Sequence, residues 1–169
     1  LHKEFIQSTG IDSEFFLDFD NLINFQLIAD AIDFFIKLGK TSRSDVKGLA
    51  NVGQDDIYWN DYDVEWKKFD SITSVLTAFA QEQTFFQTDF QIKVETIGGK
   101  VTISYFPEYH LKQIAQSLSA EAISFLNDYR ASTLEHLIER ILNQKIRIDL
   151  TNETHTSPLG ARFEVKFDS

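Results

Sequence analysis

The 169-residue chain has no cysteine and no methionine, and only two prolines and seven glycines. Without cysteine there can be no disulfide framework, thiolate metal site, thiol nucleophile or iron–sulfur cluster, and a reducing compartment is permitted. Long apolar runs are also missing. No stretch approaches the roughly 20 residues that a membrane span needs, and Leu1 to Gln7 lacks the form of a signal peptide. Positive charge is scarce: 16 Lys plus Arg stand against 26 Asp plus Glu, a formal net charge of −10. Such a surface repels phosphate backbones and anionic membranes, so the chain alone is not expected to bind duplex DNA. A start at Leu1 and an end at Ser169, just after a strand-like run, read as an excised fragment.

What is present has the balance of a folded protein, with 43% hydrophobic and 25% charged residues. A chain of this length buries roughly 70% of the surface its unfolded form exposes, so residues 1–169 are expected to form a single domain. No repeat, low-complexity tract or interdomain linker interrupts it. The polar stretch from Lys40 to Lys47 is too short for a linker.

The periodicities predict the elements. Asn24 is a candidate N-cap for a helix carrying Leu27, Ile28, Ala31, Ile32, Phe35 and Leu38 at helical spacing, with Gly39 as its stop. Ile57 to Phe69 has no clean period and reads as irregular. Asp70 or Ser71 then opens a helix with Ile72, Val75, Leu76 and Phe79 on one face, ending near Gln83. Phe90 to Phe106 consists of two alternating runs around Gly98-Gly99, a pair that tolerates the positive φ of a tight hairpin turn. If Ile97 faces Lys100, then Val94 faces Ile103 and Ile92 faces Tyr105, so apolar meets apolar. Ser119 to Asn143 is helical, and Ser132-Thr-Leu-Glu135 resembles a capping box that would break it near Arg130 to Ser132. Ile146, Ile148 and Leu150, then Phe163, Val165 and Phe167, alternate with polar residues as two more one-sided strands. Four such strands with helices before and between them predict an α+β fold: a four-stranded, largely antiparallel sheet with one face covered by helices.

Catalytic chemistry leaves no signature. Histidines 2, 110, 136 and 155 lack metal-ligand spacing, and no HExxH, GxSxG or phosphate-binding glycine loop is present. Glu135 and Glu139 are spaced to share a cation, but Arg140 beside them points to a solvated helix face. Asp55, Asp56, Asp61 and Asp63 lack the glycine and terminal glutamate of a calcium loop. No metal, no cofactor and no enzymatic activity are therefore expected. Aromatic content is the feature in excess: 16 Phe, 5 Tyr and 2 Trp. Most belong to a core, yet Trp59, Tyr62 and Trp66 lie where helical period fails and are candidates for the lid of a ligand pocket. Ile103 and Tyr105, on the inward sheet face, would meet the ligand from the other side.

The order of motifs resembles a known family. Gly10-Ile11-Asp12, Phe16-Leu17, then Asp18-x-Asp20-x-x-Ile23 before a helix are similar to the opening of the N-terminal effector domain of AraC-type transcription regulators. Gly48-Leu49, Asp70-Ser71-Ile72, the hairpin, the long helix and Gly160-Ala-Arg-Phe163-Glu-Val-Lys-Phe167-Asp follow in the family's order. The segment from Ala50 to Phe69, acidic and Trp-bearing, departs from it. The resemblance implies a cytoplasmic bacterial sensor domain that receives a small-molecule effector and can form a homodimer. DNA would be read only through a separate C-terminal helix-turn-helix domain, which has no counterpart here. Two other readings stand beside it: an acidic protein-interaction module, and a small-molecule-binding domain of the 4-vinyl-reductase type, although that type carries cysteines near its end.

Overall fold

The computed structural model describes residues 7, 25–40, 42–52, 66–86, 89–151 and 157–167. The first helix, α1 (Phe25–Lys37), buries Ala29 and Ile32. Its stop is the expected one. Gly39 takes φ +66°, Lys40 N donates to Phe35 O at 3.0 Å and Gly39 N to Ile36 O at 2.9 Å, the paired bonds of a Schellman motif. The expected N-cap, Asn24, lies outside the described residues.

A second helix, α2 (Arg43–Val52), occupies part of the polar stretch where no element was expected. Its start is chemically clear: Asp45 N donates to Ser42 Oγ at 3.2 Å, and the Ser42 hydroxyl donates to Asp45 Oδ2 at 2.5 Å. Val46 is fully buried, and its spacing to Leu49 and Ala50 is helical, a short signal set in an otherwise polar run. The next helix, α3 (Ile72–Phe86), runs three residues beyond the expected end and buries Ile72, Val75, Leu76 and Phe79 as the spacing predicts. Ser71 and Ser74 cap it reciprocally, each backbone N–H donating to the other's hydroxyl at 3.2 Å.

The hairpin of β1 (Phe90–Ile97) and β2 (Lys100–Pro107) has the expected register, with Ile97 opposite Lys100, Val94 opposite Ile103 and Ile92 opposite Tyr105. Gly98 and Gly99 take φ +58° and +82°, as a two-residue turn of this hand requires. A 3₁₀ turn (Tyr109–Leu111) and a short helix, α4 (Lys112–Ser117), follow, anchored by buried Leu111 and Ala115. Neither carries enough apolar residues to show in the sequence.

The central helix, α5 (Ala120–Leu142), is continuous, and here the expected break fails. Ser119 caps it by accepting from Ala122 N at 3.1 Å, and Asn143 closes it with φ 53°. Ser132 is fully buried mid-helix, and Glu135 Oε1 accepts instead from Ile148 N at 2.9 Å, so the capping box is never formed. Continuity wins because Ala131, Leu134, Leu137 and Ile138, spanning the supposed break and the turns after it, are all buried. Two strands, β3 (Ile146–Leu150) and β4 (Ala161–Phe167), complete a four-stranded sheet in the order β1-β2-β4-β3, every neighbour antiparallel. The fold is α+β.

One sheet face supplies Ile103, Tyr105, Phe163, Ile148 and Val165 to the core, covered by α3 over β1 and by α5 over β3. The opposite face is polar and self-paired. Glu95 lies 2.9 Å from Lys93 and 3.8 Å from Arg162, while Glu164 takes Lys100 at 3.3 Å and Lys166 at 2.7 Å. These lysines hold both carboxyls below the usual carboxylate range. Among the described residues no helix is long and apolar enough to cross a membrane.

Candidate functional site

Along α5, Ser124, Asn127, Asp128 and Ala131 recur at helical spacing and so share one side of the helix. Opposite them stand Ile148 and Leu150 of β3 and Phe163 of β4. Between these walls a cleft of about 360 Å³ is left open. Ala120, Ile123 and Ala131 also line it from the helix side. The chemistry of the walls is divided. The sheet wall is apolar, and the helix wall adds a hydroxyl, an amide and a carboxylate to its apolar Ala120, Ile123 and Ala131. Leu150, half-exposed, stands at the mouth.

Next to this cleft α5 buries a cation. Arg130 is 7% exposed, its guanidinium 4.6 Å from the Phe90 ring and 4.5 Å from the Tyr105 ring. Nη1 donates to Leu159 O at 3.0 Å and, at 3.5 Å, to Asn127 Oδ1 of the cleft wall. No carboxylate among the described residues pairs with it. Burial pulls the guanidinium down to about 10, partly offset by Tyr105, and pushes the Tyr105 phenol up to about 12, partly offset by Arg130. At neutral pH the pair is therefore a cation resting on an un-ionised phenol.

The residues singled out from sequence are distributed differently. Trp66 is buried in the core, edge-on to Phe69 with ring centroids 5.9 Å apart. Trp59 and Tyr62 lie outside the described residues, as do Asp55, Asp56, Asp61 and Asp63. Ile103 and Tyr105 are buried on the core face as expected but do not line the cleft; Phe163, which does, stands opposite Ile103 in the sheet and edge-on to the Tyr105 ring at 5.9 Å. The Glu135 and Glu139 pair is not a solvated face: Glu135 is buried against Ile148 N, with Lys47 Nζ 4.0 Å away, and only Glu139 is exposed. His110 is exposed and 2.7 Å from Asp89, while His136 is part-buried on α5 with Nε2 unpartnered among the described residues. Among the described residues no group of three or more His, Asp or Glu could hold a metal ion. Ser124, Asn127 and Asp128 escaped notice because they look like the solvent side of an amphipathic helix. The available signal was their pairing with Ala120 and Ala131 on the same side.

The fold is similar to that of H-NOX proteins. The crystal structure of a mutant Fe(II) unliganded H-NOX protein from K. algicida aligns over 99% of this chain and 85% of its own, with a TM-score of 0.57 and 10% identity. The Fe(II) unliganded H-NOX protein of the same organism aligns over 86% and 74%, with a TM-score of 0.53 and 10% identity. A further structure, described as probing the function of heme distortion in the H-NOX family, aligns over 98% and 84%, at 0.57 and 12%. No protein-family model matches the chain, and no curated protein matches its sequence. At these identities the likeness to H-NOX is one of fold.

Proposed function

We propose that the chain is a small-molecule sensor domain whose ligand enters the cleft between α5 and the β3–β4 side of the sheet. The observation that carries this reading is the cleft itself, apolar on one wall and hydrogen-bonding on the other, within the usual size range of ligand pockets. The H-NOX fold gives it context, since those structures are described by their Fe(II) and heme. Heme does not fit the residues of this cleft. Axial ligands to heme iron are His, Cys, Met or Tyr. The chain has neither Cys nor Met, and among the described residues no His or Tyr lines the cleft. Tyr105 is held under Arg130, and His110 is on the surface beside Asp89. The described lining of this cleft therefore offers heme iron no axial ligand, and an organic ligand is the class we propose for it.

In its finer form, this reading makes the chain the effector domain of an AraC-type regulator. Its support is the order of motifs from Gly10 to Phe167. A helix-turn-helix segment in the gene downstream of the Ser169 codon would support that form, and its absence would remove it.

The decisive experiment is a thermal-shift screen over amino acids, sugars, fatty acids, aromatic acids and amines, with hemin as a separate arm read by its Soret band. A ligand at ~100 times its dissociation constant adds about 2.7 kcal/mol to stability. A shift with one organic class, lost when Ser124→Phe fills the cleft, is the expected result. A stoichiometric hemin complex, or binding unaffected by Ser124→Phe, would sink the proposal.

A further inference from the structure

The helix wall of the cleft contains one ionised group, Asp128, part-buried on α5. Among the described residues its carboxylate has no ion-pair partner, unlike Glu95, Glu164 and Asp149, each of which is held by a lysine or arginine. Ser124 Oγ, one helical turn earlier, is likewise without a partner among them. Asn127 Oδ1 faces the neighbouring Arg130, which turns its guanidinium to Leu159 O and to the rings of Phe90 and Tyr105. The formal charge lining the cleft is thus a free acceptor, set opposite a wall of Ile148, Leu150 and Phe163. A carboxylate or phosphate ligand would bring like charge against Asp128. A purely apolar one would desolvate it without return.

We infer that the cleft selects a small amphipathic amine, its apolar body against Phe163, Ile148 and Leu150 and its ammonium group donating to Asp128 and Ser124. This rests on the cleft being the ligand site. Three hydrogens on an ammonium match the two free acceptors and leave one for water. Charge-assisted hydrogen bonds in a partly enclosed site make the head group decisive for affinity.

Isothermal titration of the whole chain with 2-phenylethylamine, 2-phenylethanol and 3-phenylpropionate, at fixed ionic strength, separates the possibilities. The amine should bind at least about tenfold more tightly than the other two, a factor equivalent to one charge-assisted bond. Asp128→Asn should abolish that preference, while Glu139→Gln, an exposed acid on the same helix, should leave it intact and so exclude a general attraction to the negative chain. Circular dichroism of each free variant establishes that it is folded. Equal or tighter binding of the alcohol or the acid, still lost in Ser124→Phe, would overturn the amine assignment and leave the cleft as the site. Amine binding that survives Ser124→Phe would remove the cleft and the assignment together. Failure of all three compounds also overturns the amine assignment, and the broad screen then decides the cleft independently.

Discussion

Replacing Arg130 with Met should change stability by only about 1 kcal/mol, although the residue is buried and bonded. Burial pulls its guanidinium from its ordinary, strongly basic value down to about 10 on folding. At 1.36 kcal/mol per unit, burying the charge opposes folding by about 3 kcal/mol. Met removes that penalty. It also removes a charge-assisted bond to Leu159 O, worth about 1.5–3 kcal/mol. The cation contacts with Phe90 and Tyr105 go too, at about 0.5–2 kcal/mol each. A thioether over the same rings returns about 0.3–1.5 kcal/mol and fills most of the volume. The opposing effects nearly cancel, in the manner of buried ionic groups replaced by apolar ones. Arg130→Ala differs only in leaving space, and should lose about 3 kcal/mol more. Urea unfolding of both variants at pH 7 measures the split. If Met and Ala were equally damaging, at more than about 4 kcal/mol, then the charge and not the packing would be what the core requires, and the balance above would be wrong.

The same pair predicts a pH response. Above pH 10 the unfolded chain holds the Arg130 proton more firmly than the folded one, so that residue's contribution to stability rises with pH. Tyr105 keeps its proton to about 12 when folded but loses it near 10 when unfolded, so its contribution falls over pH 10 to 12. The slopes oppose in the wild type. Tyr105→Phe should therefore gain about 2 kcal/mol relative to wild type between pH 10 and 12, and a pH-independent difference would refute the burial that raises the phenol. At the hairpin tip, Gly99→Val places a β-branched residue at φ +82° and should destabilise by about 1–2 kcal/mol in a melting experiment. An unchanged midpoint would argue against that backbone. Glu135→Gln keeps an acceptor for Ile148 N and should cost less than about 1 kcal/mol, whereas Glu135→Leu strands that amide and should cost about 1–3 kcal/mol. Equal effects in chemical denaturation would show that the bond is unimportant.

The sheet was readable because strands report themselves through strict alternation. Ile92, Val94, Ile103 and Tyr105 fix a register that one residue of slip would turn inside out, and Gly98-Gly99 fixes the turn. The outer helices were less visible. α4 is six residues long with only Ile114 and Ala115 apolar, too short to set up a period, and in α2 the helical spacing of Val46, Leu49 and Ala50 was a signal obscured by the polar residues around it. Ser132 misled in the opposite direction: its local chemistry suits a helix start, but burial on all sides makes it an interior residue. The cleft was hidden for a related reason. Large aromatics attract attention as ligand contacts, yet Trp66 is spent on packing against Phe69. The cleft is instead lined by modest residues of α5, and its other wall comes from strands much later in the chain.

The strand order carries a consequence for how the protein is made. β2 and β4 are the two central strands, yet Tyr105 pairs with Ala161 across a long intervening stretch that includes all of α5. The hairpin can close as soon as Lys100 to Pro107 has emerged, but one full edge of β2 then waits without a partner. At roughly 5–20 residues per second, synthesis keeps that edge open for several seconds. During that interval β3, the strand that α5 covers, has no neighbouring strand, and the cleft lacks Phe163 from its sheet wall. The cleft is therefore complete only once residues 161–167 pair with β2 on one side and β3 on the other.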